Sequence, residues 1–287
     1  MTRNKGPLHN LRKNKRAVSP AISTVVLTSA VVVLLIVTIA FANNFLDSRL
    51  AENEFTAMEQ FMQTVGLQID DVAWIIGRTQ TTRYTSRFGQ VNFENDTLVY
   101  SVYVDRGTGW VPVAIYSVGM ALFNMPISKY SVGNNYYECI FPSDHSFLQE
   151  GTSAPVSYIY ARQYSQAGSF IRVVVAPIIR MLNSTISMSG TTNNYFKFYL
   201  PILTNGTSPY HSESVTLTGK DVSVENEGSV NSVKIQVSFP RINDGFDRAF
   251  FNFKEGEGGG SVQKVVDVPD GSIIEFYTSE VSVSIGL

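Results

Sequence analysis

The pattern of apolar and polar positions divides the chain near residue 77. No residue from Ala17 to Leu46 is charged, and the segment from Val25 to Ala42 is almost entirely apolar. A run of about 20 apolar residues is long enough to cross the hydrocarbon core of a bilayer. The cations before this run and Asp47 after it predict a cytoplasmic N-terminus, with the bulk of the chain outside.

The residues after the apolar run continue the helical pattern in a different form. Apolar residues recur at alternating steps of three and four, which places them on one helix face. This apolar stripe consists of Phe55, Met58, Met62, Val65, Ile69, Val72 and Ile76. Ser19 is a good N-cap, Pro20 a good first helical residue and Gly77 a good stop. We therefore predict one helix over 19–76, whose stripe packs in part against this chain's own β-region.

The region after residue 77 alternates between apolar and polar residues, which predicts short strands. The alternating segments are 89–117, 156–165, 170–181, 195–203, 213–226, 232–240, 261–269 and 272–285. Turns are predicted at Asn95–Asp96, Arg106–Gly109, Asn226–Gly228, Asn243–Gly245 and Pro269–Gly271. The predicted fold class is α+β: a long N-terminal hydrophobic helix, then a mostly antiparallel, Ig-like β-sandwich of one or two sub-domains. No βα alternation is visible, so a parallel sheet is not expected.

Composition narrows the class of protein further. The chain has 287 residues and a net charge of −2, which gives no indication of a nucleic-acid partner. The only cysteine, Cys139, excludes an intramolecular disulfide. Cations gather before Ala17 while the remainder is acidic, and the abundance of Tyr, Phe, Ser, Thr and Asn favours a β-rich extracellular domain.

Three interpretations of the N-terminal segment are open. In the first it is a secretory signal cut after Ala42, since Ala40-Phe41-Ala42 satisfies the small-x-small pattern. Against this, the apolar region is long and the helical pattern crosses the cut without a turn residue. In the second it is a plain single-pass anchor.

The third interpretation depends on the step from cations to small residues. Arg16-Ala17-Val18-Ser19-Pro20, followed by a long unbroken helix, resembles the class III signal peptide of archaeal type IV pilin-like proteins. The resemblance implies that a prepilin peptidase cuts between Ala17 and Val18, with Arg16–Ala17 as the alternative bond. Bacterial pilins carry glutamate as the fifth mature residue, where this chain has Ile22, so the likeness is to the archaeal branch.

The resemblance implies a domain plan and a function. Residues 1–17 would be a cleaved leader, 18–77 the filament-core helix and 78–287 an extracellular β-rich domain. The protein would be a pilin, the structural subunit of an extracellular helical homopolymer that serves adhesion to a surface or cell. Its precursor would lie in the cytoplasmic membrane, and its partners would be the prepilin peptidase and the pilus assembly ATPase and platform. The predicted polymerisation residues are Val25, Leu34, Leu35, Phe41, Phe45, Phe55, Met58, Met62, Val65 and Ile69.

Other functions stay open beside the pilin. Within the same class, an archaellin-type motility filament is the alternative. From other classes, the alternatives are a monomeric, membrane-anchored surface binding protein and a secreted β-rich enzyme. Three sites fit the N-glycosylation pattern, at Asn95, Asn183 and Asn205.

Candidate chemistry is sparse. Cys139 and His145, with Asp144 beside the histidine, have the residue types of a nucleophile pair, but a buried thiol and a loop histidine explain them more simply. His211 has no ligand-spaced partner for zinc. We predict no catalytic residue, no cofactor and no metal site.

Overall fold

The N-terminal helix is continuous, as predicted. The structure, a computed structural model, describes residues 20–188, 191–207, 212–258 and 260–286. Helix α1 is a single 54-residue element, Pro20–Ala73. It ends before the predicted Ile76 because the chain turns there. The Gly77 N–H donates to the Gly219 carbonyl at 2.8 Å, and Gly77 has a φ of +82°, a left-handed conformation that suits glycine.

The rest of the described chain is mostly β-strand. The strands are β1 Thr79–Arg83, β2 Gln90–Asp105, β3 Trp110–Pro126, β4 Tyr137–Phe141, β5 Leu148–Glu150, β6 Ser157–Gln163, β7 Phe170–Pro177, β8 Ile179–Met188, β9 Thr191–Gly206, β10 Ser214–Ser238, β11 Glu257–Gly258 and β12 Ser261–Gly286. A short helix, α2 (Arg248–Phe251), and 3₁₀ turns at Ser165–Ala167 and Ile242–Asp244 lie between strands. The segment 117–155, which lies between two of the predicted alternating segments, contributes the end of β3 together with β4 and β5.

The strands form one mixed, mostly antiparallel sheet. Its main path is β4-β6-β7-β3-β2-β10-β12-β9-β8-β5, with β1 paired to β10 and β11 to β12. Two pairs are parallel, β9 with β12 and β5 with β8. The sheet is mostly antiparallel, as predicted, and these two pairs make it a mixed sheet. Parallel strands need a long crossover. Here the connection from β5 to β8 runs through β6 and β7, and that from β9 to β12 through β10, α2 and β11.

The sheet curls back on itself. Strands β7 and β8 are separated only by Ile178, yet they lie six places apart along the path. In a flat sheet six places span about 29 Å, whereas the Cα atoms of Pro177 and Ile179 are at most about 7 Å apart. The rings of Tyr116 in β3 and Phe276 in β12 also stack at 5.6 Å across the core. Only a strongly bent sheet brings these strands together.

Three of the predicted turns are irregularities inside long strands. Asn95–Asp96 lies in β2 at a register shift, with Asp96 at a φ of +51°. Asn226–Gly228 and Pro269–Gly271 lie near each other in the β10–β12 ribbon, where Val230 pairs with Ser272 and Ser232 with Asp267. Bulges contain Gly, Pro, Asn and Asp as often as chain reversals do. Whether the chain turns or continues depends on which strand pairs with the residues that follow.

The remaining two predicted turns are confirmed. Asp105 ends β2, and its carboxylate accepts hydrogen bonds from the N–H groups of Gly107 and Gly109 at 2.8 and 3.0 Å. Ile242–Asp244 forms a 3₁₀ turn that ends at a left-handed Gly245.

The second half of α1 packs against the sheet through two glycines. A Cβ at Gly66 would lie 2.8 Å from the Ile159 side chain of β6, and the Ser157 hydroxyl donates to the Gly66 carbonyl at 2.8 Å. A Cβ at Gly219 in β10 would lie 2.6 Å from the Val72 carbonyl oxygen. Helix and strands approach so closely because neither glycine has a side chain.

The contacts divide the chain into two compact units, with the division between Arg49 and Leu50. The second unit runs from Leu50 to Leu287 and contains the whole sheet. The second half of α1 belongs to this unit because its buried side chains share one core with the strands. Within this unit the contacts do not separate two sub-domains.

Candidate assembly helix

The first half of α1 presents apolar side chains on every side. The predicted polymerisation residues of this half are 52–71% exposed: Val25, Leu34, Leu35, Phe41 and Phe45. By length and composition, α1 is the one described helix that could cross a membrane, and a secretory signal would meet the same test. We call residues 22–46 the exposed apolar segment.

Two threonine hydroxyls in the exposed apolar segment form hydrogen bonds within the helix. The Thr28 hydroxyl is within hydrogen-bonding distance of the carbonyls of Thr24 and Val25, at 2.9 and 3.0 Å. The Thr38 hydroxyl donates to the Leu34 carbonyl at 2.7 Å. A hydroxyl bonded to its own helix needs no water, so this surface suits lipid or an apolar helix bundle. The guanidinium of Arg49 lies 5.3 Å from the centroid of the Phe45 ring, where the apolar segment ends.

The second half of α1 places its apolar stripe inside its own β-rich unit. The stripe residues Phe55, Met58, Met62, Val65, Ile69 and Val72 are at most 3% exposed. This confirms the prediction that the stripe packs on the chain's own β-region. Phe55, Met58, Met62, Val65 and Ile69 were also predicted to contact neighbouring subunits, but in this structure they are covered by their own sheet. Ile76, the last predicted stripe residue, lies beyond the helix and is exposed.

Two acids on α1 attach the helix to the β-region, one through the loop between β1 and β2 and the other through β8. Glu54 accepts hydrogen bonds from the Ser86 hydroxyl at 2.6 Å and from the N–H groups of Arg87 and Phe88 at 3.0 and 2.9 Å. Asp70 pairs with Arg180 of β8 at 2.8 Å and accepts from the Trp74 indole N–H at 2.7 Å. The apolar stripe supplies the apolar surface that α1 buries against the sheet. The contacts of Glu54 and Asp70 fix the rotation of α1 about its own axis.

A third acid, Glu59, is half-buried on α1. Burial is the largest cause that raises its pKa, and the charge of Glu138 on β4 raises it further, to about 7. Glu138 also accepts a hydrogen bond from the Tyr136 hydroxyl. The helix face toward β4 therefore carries a carboxyl group that titrates near neutral pH.

The remaining predicted sites fall into two groups. The predicted cleavage residues Arg16, Ala17 and Val18 lie outside the described residues, as does His211. The three glycosylation candidates Asn95, Asn183 and Asn205 are exposed. Exposure is required for glycosylation, and occupancy stays a prediction.

Cys139 does not have the surroundings of a nucleophile. Its Sγ donates to the Pro142 carbonyl at 2.7 Å, and burial raises the pKa of its thiol. A reactive cysteine needs the opposite shift, because the thiolate is the nucleophile. His145 packs its ring against Tyr137 at 6.5 Å. Over the described ranges no group of three or more His, Cys, Asp or Glu is placed to hold a metal ion.

Comparison with protein-family models, with curated proteins and with solved structures gave no match. The archaeal pilin resemblance therefore depends on the N-terminal residues themselves. The geometry adds a long helix with one exposed half and one buried half, followed by a large mixed sheet.

Proposed function

We propose that this protein is a pilin-like structural subunit that polymerises through the exposed apolar segment of α1. One observation carries the proposal: residues 22–46 include no charge, expose apolar side chains on every face and are joined without a break to a helix half that is locked into a β-rich unit. A single-pass anchor needs only about 20 apolar residues and no continuous helix into its ectodomain.

The physics of the exposed apolar segment supports assembly. A helix that is apolar on all sides is stable in lipid, and it is equally stable in a bundle of like helices, because both bury the same surface. Moving from membrane to filament exchanges lipid contacts for helix contacts. A basic leader would oppose this exchange, since cations cannot enter an apolar bundle without a large desolvation cost. Cleavage at Ala17–Val18 would remove it before assembly.

The two halves of α1 would then have separate tasks. The exposed apolar segment would form the filament core, while the apolar stripe would hold each β-rich unit rigidly to its own helix. We further propose that the curled sheet forms two facing layers, a β-sandwich, that lies on the filament surface. The glycosylation candidates and any adhesion contacts would lie on this outer surface.

The N-terminus of the mature protein tests the proposal. Mass spectrometry of the protein from its native cells is expected to find a chain that begins at Val18, or at Ala17. A chain that begins at Asn43 would overturn the proposal in favour of a soluble secreted protein. An uncut Met1 would favour the plain anchor.

Electron microscopy of sheared cell-surface material tests polymerisation separately. We expect filaments that contain this chain and that disappear from cells in which Ala17 and Val18 are changed to block cleavage. If the chain is cleaved correctly but no filaments are found, the proposal that it polymerises is wrong. A membrane-anchored surface protein would then be favoured.

A further inference from the structure

Two arginines face each other inside the sheet. Arg162 of β6 is the direct cross-strand partner of Arg172 of β7. They are only 8% and 9% exposed, respectively. Like charges directly opposite each other in a sheet repel, so such a pair calls for a compensating group.

Neighbouring side chains hold the two guanidinium groups in place. Arg172 donates through Nε to the Asn124 side-chain oxygen of β3 at 2.8 Å. The Arg162 guanidinium lies 5.4 Å from the centre of the Tyr137 ring and 5.0 Å from that of Tyr164. These contacts orient both groups, and none of them supplies a negative charge.

Three donors of this cluster have no hydrogen-bond partner. They are the Arg162 Nε, the Arg172 Nη1 and the hydroxyl of Tyr160, all of them buried. Tyr160 lies two residues before Arg162 on β6, so the pleat directs both side chains to the same face as Arg172. Buried donors are almost always paired, with protein or with a bound molecule, which makes three unpaired donors on one face informative.

The nearby acids have other partners. Glu94 bonds to Arg241 at 2.7 Å, and Asp244 bonds to the same arginine. Asp247 accepts from the Phe250 N–H at 2.8 Å and from the Tyr164 hydroxyl at 3.0 Å. Among the residues that the structure describes, no carboxylate forms an ion pair with Arg162 or Arg172, and Glu94, whose charge acts on Arg172 without direct contact, is already paired with Arg241.

We propose that Arg162, Arg172 and Tyr160 form a binding site for one small oxyanion, of the phosphate or carboxylate type. Arginine suits this ligand because its planar donors match two oxygens of a carboxylate or phosphate at once. The ligand must be small, because Arg162 and Arg172 are only 8% and 9% exposed. The bound anion would cancel the repulsion between β6 and β7 and accept the unpaired donors.

The site can be tested on the full chain in non-ionic detergent. Equilibrium dialysis is carried out with inorganic phosphate and, separately, with acetate, each at constant ionic strength made up with chloride. We expect saturable binding of at least one of the two, at one anion per chain. Arg162→Met and Arg172→Met should each weaken it about tenfold or more, because each removes charged donors. Arg106→Met, which changes an exposed arginine paired with Glu227, should leave it unchanged.

Thermal unfolding of the same variants provides a second readout. In chloride, Arg172→Met is expected to raise the melting temperature, because it removes a buried repulsion. In phosphate or acetate, the wild type should gain stability that the variant does not gain. If Arg172→Met does not fold, Arg172→Lys keeps the charge without the planar donors and should still weaken binding. Absence of saturable binding of both anions, or binding unchanged in the arginine variants, would overturn the site.

Discussion

Glu59 shows how a single residue makes the helix contact sensitive to pH. Its carboxyl group is half-buried on α1, and Glu138 faces it from β4. The residue lies outside the apolar segment that would enter a membrane. Since its pKa is about 7 in the folded chain and near 4.5 when unperturbed, the folded state binds the proton more tightly than the unfolded state does.

We predict that the folded protein loses stability as pH rises from about 4.5 to about 7, the window set by these two pKa values. Below this window Glu59 is protonated in both states, and above it the folded state carries a poorly solvated charge. Allowing for its partial exposure, the loss should be about 1–2 kcal/mol. Glu59→Gln should remove this part of the pH dependence, as measured by urea unfolding across the window. The control is Asp71→Asn, which changes an exposed acid of the same helix and should leave the pH dependence of stability unchanged.

Residue-level features differ in how far the sequence predicts them. The burial of Met62 or Ile69 follows from helical spacing alone. The pairing of Arg162 with Arg172 does not, because it depends on the register between two strands. A hint was present, since Tyr160 lies two residues before Arg162 and Val174 two residues after Arg172, so alternation places each arginine on the same strand face as an apolar or aromatic residue.

At the scale of elements, α1 was predictable because its period is local. A repeat of three and four residues defines a helix face before any tertiary contact exists. The strands were predicted in outline, yet β2, β10 and β12 are longer than expected. Their bulges contain the same residues as turns, and only long-range pairing shows that the chain continues.

The two faces of the second half of α1 should differ in their response to truncation of apolar side chains. Met62→Ala is expected to lower the free energy of unfolding by about 3 kcal/mol, because it leaves a cavity under a fully buried residue. Leu67→Ala, on the same helix but 49% exposed, should change it by less than about 0.5 kcal/mol. Urea unfolding of the detergent-solubilised chain measures both. Equal effects would show that the stripe is not the contact that holds helix and sheet together.

At the scale of the whole molecule, the curled sheet lay beyond prediction from the sequence. The path joins β2 to β10 and β9 to β12, pairs whose members are far apart in the chain. Local alternation contains no information on which strands pair or where parallel pairing occurs. The exposed apolar segment, by contrast, was predicted from composition, since an uncharged apolar run of that length is typical of a helix that crosses a membrane.

The division at Leu50 leads to the last prediction, on what each part of the chain does. A fragment of residues 50–287 retains the stripe and the sheet, so it should fold cooperatively and stay monomeric. A fragment of residues 77–287 lacks the stripe and exposes the sheet residues that the stripe covered, so it should unfold or aggregate. Thermal unfolding and light scattering after size exclusion distinguish these states.

The fragment pair also tests the proposed route of assembly. If fragment 50–287 forms filaments like those of the mature protein, polymerisation does not require the exposed apolar segment and the proposed core is wrong. If fragment 77–287 folds as stably as fragment 50–287, the stripe contributes little to the β-rich unit and is free to contact neighbouring subunits, as the sequence first suggested. The expected result, a stable monomer from one fragment only, assigns folding to the second half of α1 and leaves assembly to the first.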